Sequence, residues 1–128
     1  MDKNILLIDD DQALRQLYSL ELSNNGYRFT EAADGEEGLA KAKAEKPSLI
    51  LMDVMMPKMD GVATLSKLKE DQALKDIPVI MLTNFGQENL VQQAFNLGAN
   101  DYLLKYKVTP QEMVEKVQKL LSAVPVQL

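Results

Sequence analysis

The sequence contains no cysteine and no histidine. The first absence removes disulfides and thiol chemistry. The second removes the imidazole base of hydrolytic triads and the commonest zinc ligand, and it means that the chain cannot itself carry a phosphohistidine. Long apolar runs are also missing, so no membrane span is expected. The opening Met1-Asp2-Lys3-Asn4 leads straight into Ile5-Leu6-Leu7-Ile8 and then into acids, which is too short a run for a signal peptide. A cytoplasmic protein is the expectation. Basic residues are scattered and the net charge is −5, so direct binding to nucleic acid is not expected. The chemistry left to this chain uses carboxylates, hydroxyls, lysines and a hard metal ion.

What is present suits a single globular domain. The 128 residues are enough for one core, and the hydrophobic fraction of 46% is ordinary for a globular protein. Ile5-Leu6-Leu7-Ile8, Leu49-Ile50-Leu51-Met52 and Pro78-Val79-Ile80-Met81-Leu82 are short, continuous apolar runs. Such runs read as strands buried on both faces, the signature of a parallel sheet. Tyr27 to Ala32 and Tyr102-Leu103-Leu104 supply two further strands. Helical spacing follows each strand: Leu14, Leu17, Tyr18 and Leu22; a segment from Asp34 to about Lys46; Val62, Leu65 and Leu68; Gln87 to Leu97; and Met113, Val114, Val117, Leu120 and Leu121.

Punctuation agrees with that reading. Asn25-Gly26 and Gly98 are stops, and Pro47 blocks continuation of the second helix. Asp34 with Glu37, and Thr109 with Pro110 and Glu112, are helix starts. Glu70 to Asp76 is expected to be a polar loop, and Met55, Met56 and Met59 to be loop packing. The fold class is therefore α/β: a doubly wound five-stranded parallel sheet with five helices, strand order 2-1-3-4-5, flavodoxin-like. Residues 1–123 form the expected domain, and 124–128 a tail or the start of a linker.

In such sheets ligands bind outside the carboxyl ends of the strands. The first strand ends in Asp9-Asp10, the third in Asp53, the fourth in Thr83 and the fifth in Lys105. Carboxylates gathered at one rim repel one another unless a cation sits between them, and Mg²⁺ with oxygen ligands fits that need. A hydroxyl and an ammonium beside such a metal would take up the charge of a phosphoryl group. Asp53 then reads as a nucleophile that forms an acyl phosphate. Taken singly, each residue has a plainer role: Asp9, Asp10 and Asp11 as helix caps, Asp53 as a turn residue, Thr83 as a strand residue, Lys105 as a solvated end. For Asp11, Asp34 and Asp60 the capping or turn role is the expectation. For the others, convergence at four strand ends favours chemistry.

The sequence resembles the receiver domains of two-component response regulators, including the single-domain chemotaxis regulators. The resemblance spans essentially the whole chain. It rests on residues 5–11, on Leu51-Met52-Asp53-Val54-Met55-Met56-Pro57-Lys58-Met59-Asp60-Gly61, on residues 78–83 and on Gly98-Ala99-Asn100-Asp101-Tyr102-Leu103-Leu104-Lys105. It implies that Asp53 accepts a phosphoryl group from the phosphohistidine of a kinase or phosphotransfer protein. It implies that Asp10, Asp53 and the Met55 carbonyl hold Mg²⁺, with Asp9 assisting. Thr83 and Lys105 would contact the phosphoryl group, and Tyr102 would be a switch aromatic that turns inward when Thr83 moves. A downstream protein would bind the face made by the fourth helix, fifth strand and fifth helix, including Gln92, Gln93, Tyr102, Lys116 and Lys119. The expected state is a monomer or a weak, phosphorylation-dependent dimer.

The chain departs from the family pattern at two places. Lys105 is followed by Tyr106 where proline is usual, and a cis bond before a non-proline residue costs about 2.5–4 kcal/mol. A rearranged loop with a trans bond is the expectation. The residue after Thr83 is Asn84 rather than a small one, and with Phe85 it is expected to restrict access to Asp53. Three rival readings meet the same residues. A phosphoaspartate hydrolase would carry a second acid where Met55 stands. A flavin carrier would need a Ser-, Thr- and Gly-rich loop where Asp9-Asp10-Asp11 stands. A receiver-like module signalling without phosphorylation would not need the intact set of Asp10, Asp53, Thr83 and Lys105.

Overall fold

A computed structural model describes residues 3–123. The chain alternates strand and helix five times: β1 (Asn4–Ile8), α1 (Gln12–Asn24), β2 (Arg28–Ala32), α2 (Gly35–Glu45), β3 (Leu49–Asp53), α3 (Gly61–Glu70), β4 (Val79–Thr83), α4 (Glu88–Asn96), β5 (Asp101–Leu104) and α5 (Pro110–Ser122). The five strands form one parallel sheet in the order β2-β1-β3-β4-β5. This is the expected class and strand order. The proposed tail, 124–128, lies outside the described residues.

Side chains alternate across a strand, so one continuous apolar run feeds two cores. Leu6, Ile8, Ile50, Met52, Val79 and Met81 face one side, where Leu65, Leu68 and Ala94 cover them from α3 and α4. Ile5, Leu7, Leu49, Leu51, Ile80 and Leu82 face the other, beneath Leu14, Tyr18, Leu22, Met113, Val114 and Val117 of α1 and α5. Each fully buried Leu or Ile contributes about 1.5–3 kcal/mol. Both faces of β1, β3 and β4 are therefore stabilising, and this fixes their register.

Helix starts are set by side chains. Asp11, Asp34 and Asp60 each accept a backbone N–H three residues on, and Thr109 with Glu112 forms a complete capping box. Gly26 and Gly98 adopt positive φ at the ends of α1 and α4. Between α3 and β4 the structure differs from the expected polar loop. Asp71 caps a turn by accepting from Ala73 N at 2.8 Å, and Leu74 is driven into the core at 1% exposure. One apolar residue among charged neighbours carries no periodicity, so the anchor was hidden. The methionines divide: Met56 packs on the core, whereas Met55 is 57% exposed and contributes little packing.

Candidate functional site

Parallel strands present all their carboxyl ends to one edge. The register aligns Ile8 with Met52, Asp53 with Leu82 and Thr83 with Leu104, so the residues just beyond these ends meet at one rim. Asp53, the last residue of β3, is buried at 3% exposure. Its Oδ1 accepts the Met55 N–H at 3.1 Å and its Oδ2 accepts Lys105 Nζ at 2.7 Å. The same ammonium lies 2.7 Å from Asp9 Oδ2. That second contact is a buried ion pair. Asp9 Oδ1 accepts the Asp11 N–H at 2.8 Å.

Asp9, Asp10 and Asp53 each bring a carboxylate oxygen within 4.8 Å of the others, with Asp10 exposed and the other two buried. One lysine faces three acids, and the local charge is negative. Burial pushes Asp53 from 3.8 up to about 6, with the Asp9 charge adding to it and the Lys105 hydrogen bond opposing. Asp9 is raised for the same first reason, burial. Burial alone would lower Lys105, but its bonds to Asp53 and Asp9 outweigh that and raise it. Three acids sharing one ammonium, with an open side at Asp10, suit a hard cation with oxygen ligands.

Gly61 explains how β3 delivers Asp53 so close to the loop that follows. Its N–H donates to the Val54 carbonyl at 3.1 Å, and a Cβ placed there would lie 2.0 Å from the Asp53 carbonyl oxygen. The β3–α3 loop therefore folds directly against the acid-bearing residue.

Thr83 is buried at the end of β4, and its hydroxyl bonds within the turn that leads into α4. It donates to Gln87 Oε1 at 2.9 Å and lies 3.1 Å from the Asn84 carbonyl. Gln87 Oε1 also accepts the Asn84 N–H at 2.8 Å. Gln87 gave no signal in the sequence, because its bonds to Thr83 and Asn84 depend on how the β4–α4 turn runs. Tyr102 is 42% exposed and meets Phe95 edge to face, with centroids 6.1 Å apart. A groove of about 320 Å³ is lined by both Thr83 and Tyr102, with Phe85, Val91 and Leu104.

Lys105 reaches Asp53 through a trans loop, as expected where proline is missing. No described peptide bond is cis, and Tyr106 takes φ +61° instead. Its hydroxyl donates to Asp11 Oδ2. That bond holds the Asp11 carboxyl below its ordinary range and raises the Tyr106 phenol. Asp11 therefore does more than cap α1, a contact that sequence spacing could not reveal. Asn84 and Phe85 are both exposed, and Lys107 Nζ stands 5.4 Å from the Phe85 ring centre.

Residues 5–118 match the family model described as the response regulator receiver domain. Over 117 residues the chain is 44% identical to the "DNA-binding dual master transcriptional regulator RpaA" of Synechocystis, covering 91% of this chain and 48% of that protein. It is 38% identical over 121 residues to the "Alkaline phosphatase synthesis transcriptional regulatory protein PhoP" of Bacillus subtilis, covering 94% and 49%. The chain thus spans about half the length of these relatives. Among solved structures, the chemotaxis response regulator CheY4 of Vibrio cholerae superposes with a TM-score of 0.87 at 31% identity, covering 94% of this chain and 99% of that one. A CheY-like receiver domain protein of Methanospirillum hungatei gives 0.88 at 32%, with 95% of each chain covered. By sequence and by fold, this chain belongs to the receiver domains of two-component response regulators.

Proposed function

We propose that this receiver domain is a Mg²⁺-dependent, phosphorylation-controlled switch with Asp53 as its phosphoacceptor. The observation that supports this most is the buried Asp53 carboxylate, held by Lys105 on one oxygen and bordered by Asp9 and Asp10. In the transfer, an Asp53 oxygen bonds to phosphorus as the P–N bond of a partner's phosphohistidine breaks, and the imidazole leaves with the electron pair. Lys105 then pairs with an oxygen of the new phosphoryl group. Asp9, Asp10, Asp53 and the Met55 carbonyl are the residues that would hold Mg²⁺, whose charge neutralises the phosphoryl oxygens. The partner is a histidine kinase or a phosphotransfer protein.

The output follows from Thr83. Its hydroxyl now bonds Gln87, and a phosphoryl oxygen at Asp53 offers it a stronger, charged acceptor. Thr83 and Tyr102 line the same groove, so movement of Thr83 toward the phosphoryl group gives the exposed ring room to turn inward. A downstream protein reads that change on the face of α4, β5 and α5. The test is mass spectrometry after incubation with acetyl phosphate and Mg²⁺. Wild type should gain one phosphoryl group and Asp53→Asn none. Equal labelling of both, or of neither, would refute the assignment.

A further inference from the structure

Three consecutive residues of the β5–α5 loop reach one other strand end and two other loops of the rim. Lys105 reaches Asp53 at the end of β3, Tyr106 reaches Asp11 after β1, and Lys107 stands over Phe85 after β4. The middle contact closes a ring. Tyr106 donates to Asp11 Oδ2, the Asp11 N–H donates to Asp9 Oδ1 at 2.8 Å, and Asp9 Oδ2 lies 2.7 Å from Lys105 Nζ. Lys105 and Tyr106 are covalent neighbours, so the ring needs no further link.

Backbone conformation points the same way. Tyr106 has φ +61°, in the left-handed region that bulky L residues rarely adopt. A bulky residue stays there only where its surroundings hold it. Tyr106 is 63% exposed, so burial does not account for the conformation. The bond to Asp11 is the polar contact that the conformation secures, and it spans 95 positions of sequence. Asp11 is held in turn at the start of α1 by accepting from Leu14 N at 3.1 Å, so the latch is tied to a helix rather than to a free loop.

We propose that Tyr106 is a positioning residue whose hydroxyl, through Asp11 and Asp9, fixes the Lys105 ammonium against Asp53. This rests on the reading of Asp53 and Lys105 given above. The latch replaces a rigid residue after the lysine with a side-chain bond, and it makes the lysine loop and the β1–α1 loop one unit. Removing the hydroxyl leaves Lys105 chemically intact but frees its stem.

Two variants test the latch. Tyr106→Phe removes only the hydroxyl. Asp11→Ser keeps a helix-capping oxygen but is too short to meet Tyr106. The first readout is the side-chain ¹H–¹⁵N signal of the Lys105 ammonium in the metal-free protein, which persists only while the group is held and shielded. The signal should be present in wild type and lost in both variants. The second is the rate of labelling by acetyl phosphate at saturating Mg²⁺. Each variant should be slower by about tenfold, the size of one hydrogen bond to a charged group, and the double variant no slower than either. No lysine signal in wild type, an unchanged signal in both variants, or additive rate losses would overturn the proposal. A wild type that is never labelled, but whose lysine signal responds to both variants, would sink the phosphoacceptor reading and leave the latch standing.

Discussion

The charge of Asp53 should destabilise the metal-free domain, and Asp53→Asn should therefore raise its melting temperature. Two acid oxygens lie within 4.8 Å of the Asp53 carboxylate. At an effective dielectric of about 20, each repels it by about 3.5 kcal/mol. Lys105 at 2.7 Å returns about 6 kcal/mol on the same scale, so the Coulomb contributions nearly cancel. Desolvation then decides the sign, and Asp53 is pushed from 3.8 up to about 6. That rise corresponds to about 3 kcal/mol lost to the folded state once the group is fully ionised. The substitution has its own cost. An amide cannot both accept from Met55 N and accept from Lys105 Nζ, so about 1 kcal/mol of hydrogen bonding is lost. The expected net gain is about 2 kcal/mol. At about 2.1 cal/mol/K per residue, unfolding 128 residues carries about 0.27 kcal/mol/K, so the shift is about +7 °C.

The pH dependence follows from the sign of the shift. The folded state holds the Asp53 proton more tightly than the unfolded chain does. The penalty is therefore absent below about pH 4, grows between 3.8 and 6, and is complete above. Thermal unfolding by circular dichroism, with EDTA present, should show the variant ahead at pH 7.5 and behind wild type near pH 4 by the about 1 kcal/mol of lost hydrogen bonding, some 4 °C. Mg²⁺ at about 100 times its Kd adds about 2.7 kcal/mol to wild type alone, some 10 °C, and so reverses the order. Removing one partner of a buried pair ordinarily costs 3–5 kcal/mol by orphaning the other. Here Lys105 keeps Asp9. A variant less stable than wild type at pH 7.5 in EDTA, or a gap that does not close on acidification, would refute this reasoning.

Two further substitutions should move the other way. Lys105→Met leaves Asp9 and Asp53 buried without their cation, so a loss of about 3–5 kcal/mol is expected in EDTA, partly recovered by Mg²⁺; urea unfolding with and without the ion measures both. Gly61→Ala places a Cβ 2.0 Å from the Asp53 carbonyl, which should cost about 1–3 kcal/mol and lower the melting temperature by about 4–11 °C, read by calorimetry. A Gly61→Ala protein melting within a degree of wild type would show that the β3–α3 loop can give way there.

How much of this was legible in the sequence depends on what carries the information. The strands could be read because Ile5–Ile8, Leu49–Met52 and Val79–Leu82 are buried on both faces, which leaves no polar alternation to misread. A parallel sheet then turns position in the chain into position in space. A residue just past one strand end must lie near residues just past the others. Asp9, Asp53 and Lys105 could be brought together on that ground alone, before any distance was known. Contacts between the loops do not follow from such a rule. The bonds from Thr83 to Gln87 and from Tyr106 to Asp11 depend on how each loop runs, and Leu74 is buried through a turn that only Asp71 caps.

The loop after β5 shows the boundary between these two kinds of information. The missing proline made the aim of Lys105 the open question, and sequence spacing had no means of answering it. The Lys105 backbone N–H donates to the Thr83 carbonyl at 2.8 Å, so the lysine's origin is still set by the sheet. Only the next residue departs, by taking a positive φ that carries its side chain to Asp11. The position of Lys105 is thus inherited from strand pairing, and its steadiness is supplied by a tyrosine. A change in the first would alter the fold. A change in the second should alter only how firmly one ammonium is held, so Tyr106→Phe is expected to leave the backbone amide spectrum of the sheet unchanged.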